Sequence, residues 1–251
     1  MKTISLFAFL LLAQLAFGQD VNVLLKQADN FDKQIKEQEA IEKYKEVLQL
    51  SPDNFWALFR LTELNAAIGS RQLKDKDKLS YFRAALDYAN TAFKAVDTGS
   101  ADAYYLVALA SWKMSTVEEK DKEAVEYLRK WKEFADLALE QNPEHARGTF
   151  LLGKWHFDMT RASLLKKAAA KTIYGGIAKW NIETAIQLFE KVKLLDRYFV
   201  QNYYELAKAY EYNNQPTQEI ETLNRLVKMP VRTGDDAAWK AEGKKMLDQM
   251  K

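Results

Sequence analysis

Small and aromatic residues recur along the chain at a fixed set of offsets. Ala28, Phe31, Ala40, Tyr44, Val47 and Pro52 are separated by 3, 9, 4, 3 and 5 residues. Steps of three and four keep side chains on one face of a helix, and the step of nine carries the chain over a turn into a second helix. The pattern predicts helix from Val21 to Phe31 and from Gln38 to Leu50. Ala28 and Ala40 mark the crossing, where small side chains let two backbones approach, and Tyr44 fills the space beside them. Pro52 lacks an amide proton and cannot continue the second helix; with Ser51 as cap it suits the start of the next.

The pattern returns four more times. Phe55 to Ile68 ends at Gly69, and a polar connection from Ser70 to Lys78 leads to Leu79–Val96, with Ala85, Ala89 and Ala92 on its face. Ser100 caps Ala101–Met114; after a charged turn from Val117 to Asp121, Lys122–Gln141 carries Val125, Leu128, Trp131, Ala135 and Ala138 at helical spacing. Asn142-Pro143-Glu144 repeats the cap-and-proline start before Ala146–Thr160, whose partner is Ile182–Leu195. Between them lies an insertion at about 161–180, with a helix from Ala162 to Tyr174 and Gly175-Gly176 as breaker. Val200–Tyr212 pairs with Gln218–Lys228, Pro230 ends the latter, and Thr233 with Asp236 resembles a capping box opening a last helix, Asp235–Met250. This is the ladder of the tetratricopeptide repeat, a 34-residue helix–turn–helix unit. It predicts an all-α, right-handed α-solenoid of about five helix pairs, with an inserted helix and a C-terminal capping helix that covers the last apolar face.

The first residues fall outside this pattern. Lys2 precedes an apolar run from Ile4 to Phe17 broken only by Ser5 and Gln14, and Ala16 and Gly18 stand at −3 and −1 of a cleavage point before Gln19. Residues 1–18 therefore read as a secretory signal peptide, too short for a confident membrane span, and 19–251 as a single helical domain. The chain has no cysteine, which removes disulfides, thiolate metal sites and cysteine nucleophiles; export without disulfides suits a bacterial periplasm or the extracellular space. Hydrophobic residues make up 48% and charged residues 29%, with only 4 Pro and 9 Gly, so an ordered helical core is expected. The 37 basic and 35 acidic side chains nearly balance, which leaves no global field to recruit nucleic acid or an anionic membrane.

One stretch is more specific than the ladder. Gly153-Lys154-Trp155, Leu164-Leu165-Lys166-Lys167 with Ala168 to Lys171, Tyr174-Gly175, and Ile182 to Phe189 come first; Asn202-Tyr203, Leu206-Ala207-Lys208, Tyr210, Met229-Pro230 and Asp235-Asp236 follow. Together they resemble the regulator of microtubule dynamics family, strongly over about a third of the chain and more weakly back to Tyr81. The resemblance implies a tetratricopeptide-like fold and an adaptor role. The expected export separates this chain from a cytosolic polymer, so it reads as an exported bacterial relative.

In such repeats positions 2, 5, 9 and 12 of each first helix line the concave face. Counting along the ladder gives Trp56, Phe59 and Glu63; Tyr104 and Ser111; Arg147, Phe150, Lys154 and Phe157; and Gln201, Tyr204, Lys208 and Glu211. The expectation is an aromatic groove edged by basic residues that takes an extended peptide or a helix, with Arg147, Lys154 and Lys208 orienting an acidic or C-terminal group. The opposing reading has the insertion or the final helix packed into the groove. Within the insertion, Leu164, Leu165, Ile173 and Tyr174 beside Lys166, Lys167 and Lys171 could form a membrane-surface helix, but a packed extra helix is the simpler reading. His145 is expected at the surface and His156 in the core, neither at metal-ligand spacing. Glu118-Glu119 and Asp235-Asp236 sit at turns or helix starts, where charge favours the helix dipole. Leu25 and Asp29 stand where a carboxylate clamp would need Lys and Asn. No catalytic constellation or cofactor motif is present, so the expected role is a non-enzymatic scaffold with a protein or peptide partner. The rival readings are self-assembly into a homo-oligomer and peripheral membrane attachment through the insertion.

Overall fold

The structure, a computed structural model, describes residues 20–96, 99–173 and 180–250. The signal-peptide residues 1–18 and Tyr174-Gly175-Gly176 of the insertion lie outside them. The regular structure among the described residues is helical throughout. Helices α1 (residues 20–33) and α2 (Glu37–Leu50) form the first pair, α3 (Phe55–Ser70) and α4 (Asp75–Lys94) the second, and α5 (Ala101–Ser115) and α6 (Asp121–Gln141) the third. The fourth pair, α7 (Ala146–Arg161) and α9 (Ile182–Leu195), is interrupted by α8 (Leu164–Ile173); α10 (Val200–Tyr212) and α11 (Pro216–Val227) are followed by α12 (Asp236–Gln249). Each pair packs together and each first helix also meets the next, so the array is a tetratricopeptide-type solenoid.

The small residues of the ladder sit at the crossings. Ala28, Ala40, Ala85, Ala89, Ala92, Ala135, Ala138 and Ala185 are all fully buried, as is Tyr44. Gly153 lies at a close approach of α7 to α9: a methyl group there would stand 3.0 Å from the Phe189 ring. Two buried bonds tie neighbouring helices, from Trp131 Nε1 to the Leu151 carbonyl (3.0 Å) and from Asn202 Nδ2 to the Phe189 carbonyl (2.9 Å). The core is continuous from Leu58 on α3 to Tyr210 on α10.

Several helix starts differ from the expectation, each for a local reason. Helix α4 begins at Asp75 rather than Leu79, because Asp75 and Asp77 favour a first turn and Lys78 reaches back to Asp75 at 2.8 Å. Pro52 stays in the turn, and Asn54 caps α3 by accepting the Ala57 amide at 3.0 Å. Pro143 likewise stays in a turn closed by Asn142, and His145 caps α7: its Nδ1 accepts the Gly148 amide at 2.8 Å. His145 is thus a half-buried cap rather than a surface residue, with Nε2 3.0 Å from Asp102. Pro216 occupies the first turn of α11, two residues before the expected start, where its missing donor costs nothing. Only half of the expected Thr233–Asp236 capping box forms: Asp236 accepts the Thr233 amide at 2.9 Å, but the Thr233 hydroxyl donates to Asp236 at 2.8 Å instead of capping an amide, and the helix starts at Asp236.

Candidate functional site

The concave side holds a cavity of about 630 Å3. Helix α3 supplies Arg60, Glu63, Leu64 and Ala67 at helical spacing, with Arg71 just past its end; α5 supplies Tyr105, Leu109, Trp112 and Lys113; α7 supplies Arg147. The turn before α10 adds Tyr198 and Phe199, and the segment 232–239, including Trp239, crosses the opening. The inserted helix α8 packs against α6, and none of its described residues is among the walls, whereas the start of the terminal helix is.

Charge on these walls is mostly satisfied internally. Arg60 pairs with Asp32 through Nη2 at 2.5 Å and with Glu63, whose other oxygen accepts the Tyr105 hydroxyl at 2.7 Å. Burial pushes the Asp32 carboxyl up, against the pull of the Arg60 guanidinium. Arg71 pairs with Glu37 and reaches Asp235 at 3.2 Å, tying α2 and α3 to the start of the terminal helix. A side chain on Gly234 would meet the Arg71 guanidinium and the Glu37 carboxylate, so a larger residue there would have to displace this pair. Lys113 is different. Its Nζ lies 3.8 Å from the centre of the Trp112 ring, and no carboxylate among the described residues is within ion-pair distance. Burial lowers its pKa to about 8; Asp235 opposes the shift and Lys154 adds to it.

The residues counted from the ladder are distributed as follows. Arg147 faces the cavity with its guanidinium 3.9 Å above the Phe199 ring. Trp56 is 46% exposed, stacks on Phe59 at 5.5 Å and donates from Nε1 to Asp29 at 2.9 Å. Phe59 is half-buried and touches Tyr105. Tyr104 turns toward Phe93 of α4 and Phe134 of α6, and Ser111 is fully buried. Phe150 is buried among Trp112, Phe189 and Phe199, and Phe157 is fully buried against Phe189. Lys154 lies within an ion cluster between Asp158 and Glu205, the latter 3.6 Å away; burial works against its charge, but the two carboxylates outweigh it and hold the pKa up. Lys208 approaches the same Glu205 at 3.6 Å, and the Tyr204 ring lies tilted against Trp239 at 4.9 Å. Gln201 lines the cavity beside Phe199, and Glu211 is exposed. His156 is buried, its Nδ1 accepting the Asn181 amide at 3.3 Å, and burial lowers its pKa to about 4. The counting missed Tyr105, Trp112 and Lys113, which lie one or two residues from the counted positions.

The family described as regulator of microtubule dynamics protein 1-3 matches residues 24–251. Regulator of microtubule dynamics protein 3 of Rattus norvegicus is 26% identical over 235 residues, covering 89% of this chain and 48% of its own. Regulator of microtubule dynamics protein 1 of Caenorhabditis elegans is 22% identical over 218 residues, covering 86% of this chain and 92% of its own. This chain thus spans about half the length of the rat protein and most of the nematode one. Among solved structures, a thermophilic TPR protein of Thermus thermophilus matches with a TM-score of 0.64 at 13% identity, over 90% of this chain and 98% of that one. That likeness concerns the fold alone. The chain belongs to the regulator of microtubule dynamics family.

Proposed function

We propose that this member of the regulator of microtubule dynamics family is a non-enzymatic interaction module that takes an extended segment of a partner protein into its concave cavity. One observation carries the reading: the inner face of the solenoid retains about 630 Å3 of space walled by Tyr105, Trp112, Phe199 and Trp239, with Arg147 among them. Aromatic and arginine side chains at the centre of a desolvated recess are the usual anchors of protein recognition. A recess of this size suits a few residues of an extended chain rather than a second folded domain.

The test is a photoreactive residue at Leu109, on the cavity wall, expressed in the native cell with and without Ala67→Trp. The indole of that variant would occupy the space from the α3 side. The expected result is a discrete protein adduct that disappears when Ala67 is replaced. An adduct indifferent to Ala67→Trp, or none in either background, refutes the reading.

A further inference from the structure

We infer that Lys113 and Arg147 form a recognition site for the C-terminal carboxylate of an extended peptide seated in the cavity. This rests on the cavity being a peptide site and names the group it reads. Both residues are half-buried, unlike Arg232, which also lines the cavity with no ion pair among the described residues but is exposed, over the Tyr198 ring at 5.2 Å. Arg60, Arg71, Lys154 and Lys208 each have a carboxylate within ion-pair distance. Lys113 and Arg147 have none among the described residues, and each instead lies over an aromatic ring, Trp112 at 3.8 Å and Phe199 at 3.9 Å. A cation resting on a ring face is partly compensated but keeps hydrogen-bond donors for a ligand. A partly buried cation without an anion is costly, and an entering anion removes that cost.

The rest of the lining selects the kind of anion. Asp32, Glu37, Glu63, Asp196, Asp235 and Asp236 all line the same cavity. These carboxylates repel a polyanion, so the two half-buried cations without an ion pair fit one negative charge. The planar fork of Arg147 matches a carboxylate, which Lys113 can bind as a point charge. Leu109 and Trp239 offer apolar surface to the terminal side chains.

The experiment equilibrates the full chain with two decapeptide libraries of the same random composition, one ending in a free acid and one in a carboxamide. The expected result is binders from the acid library that lose at least about tenfold in affinity when amidated. They should lose as much in Lys113→Met or Arg147→Gln, recover partly in Arg147→Lys, and disappear in Ala67→Trp. The acid–amide comparison uses the native chain and is independent of how the variants fold. Acids and amides that bind equally and are both blocked by Ala67→Trp would overturn the carboxylate site and leave the peptide cavity standing. No binder in either library would overturn both. Displacement of acid peptides by inorganic phosphate at matching concentration would overturn the assignment to a carboxylate.

Discussion

Helices α3 and α7 occupy equivalent places in their repeats, yet their equivalent residues meet different surroundings. Position 5 is half-buried Phe59 in α3 and fully packed Phe150 in α7. Position 9 is Glu63, bonded to Arg60 and Tyr105 at the cavity edge, in one, and Lys154, held inside a four-residue ion cluster, in the other. Position 2 is exposed Trp56 against half-buried Arg147. The cause lies outside both helices. Phe199, on the turn before α10, packs directly on Phe150, and Glu205 of α10 reaches Lys154, so α7 is flanked on its inner side. Helix α3 has α1 beside it, and Arg71 just past its end reaches Asp235 near the far end of the chain. In these two helices the equivalent positions fall on the same face, while the neighbour opposite decides whether that face is open.

Substitutions at matched positions sharpen this difference. Phe150→Ala should cost about 3–5 kcal/mol, the range for emptying a packed aromatic site, and Phe59→Ala clearly less. Denaturant unfolding of both variants checks this, and equal losses would mean that α3 is as enclosed as α7. Lys154→Met should cost about 3 kcal/mol, since the buried Asp158 and Glu205 would be left with Lys208 alone, and the additional change Glu205→Gln should restore part of it. His156 stays neutral in the fold until about pH 4, whereas an unfolded histidine takes up a proton near pH 6.5. Its contribution is full above pH 6.5 and is lost as pH falls to 4, on the order of 3 kcal/mol. Comparing the pH dependence of stability with that of His156→Asn isolates this, and identical curves would remove it. Asn65, at the matching place in α3, does not titrate. Trp56→Ala should cost only about 1 kcal/mol, the stack on Phe59 and the bond to Asp29 being largely solvated. A loss as large as that of Phe150→Ala would erase the contrast.

The parts legible in the sequence were those where one residue type answers a steric demand. Ala28, Ala40, Ala85, Ala89 and Ala185 are small because helices cross there, and α9 and α10 match their expected bounds. Caps were harder. Pro52 and Pro143 look like helix starts, but the turns run on to Asn54 and His145, and a histidine cap depends on a side-chain rotation that spacing does not reveal. The cavity register was hardest. Helix α5 is apolar on nearly every side from Ala103 to Trp112, so no polar stripe marks its faces, and counting placed Tyr104 and Ser111 where the fold turns Tyr105 and Trp112 inward. The signal available was Lys113, a lone cation at the end of that apolar run.

The link from Arg71 to Asp235 gives this solenoid a different folding problem from that of an open array. An open array gains stability one neighbour at a time, and its ends can fray independently. Here a contact between residues far apart in sequence joins the second helix pair to the terminal helix. Closing that loop has an entropic cost that grows slowly with its length. Loss of the terminal helix therefore reaches back to α3, coupling the two ends of the array into a more cooperative unit.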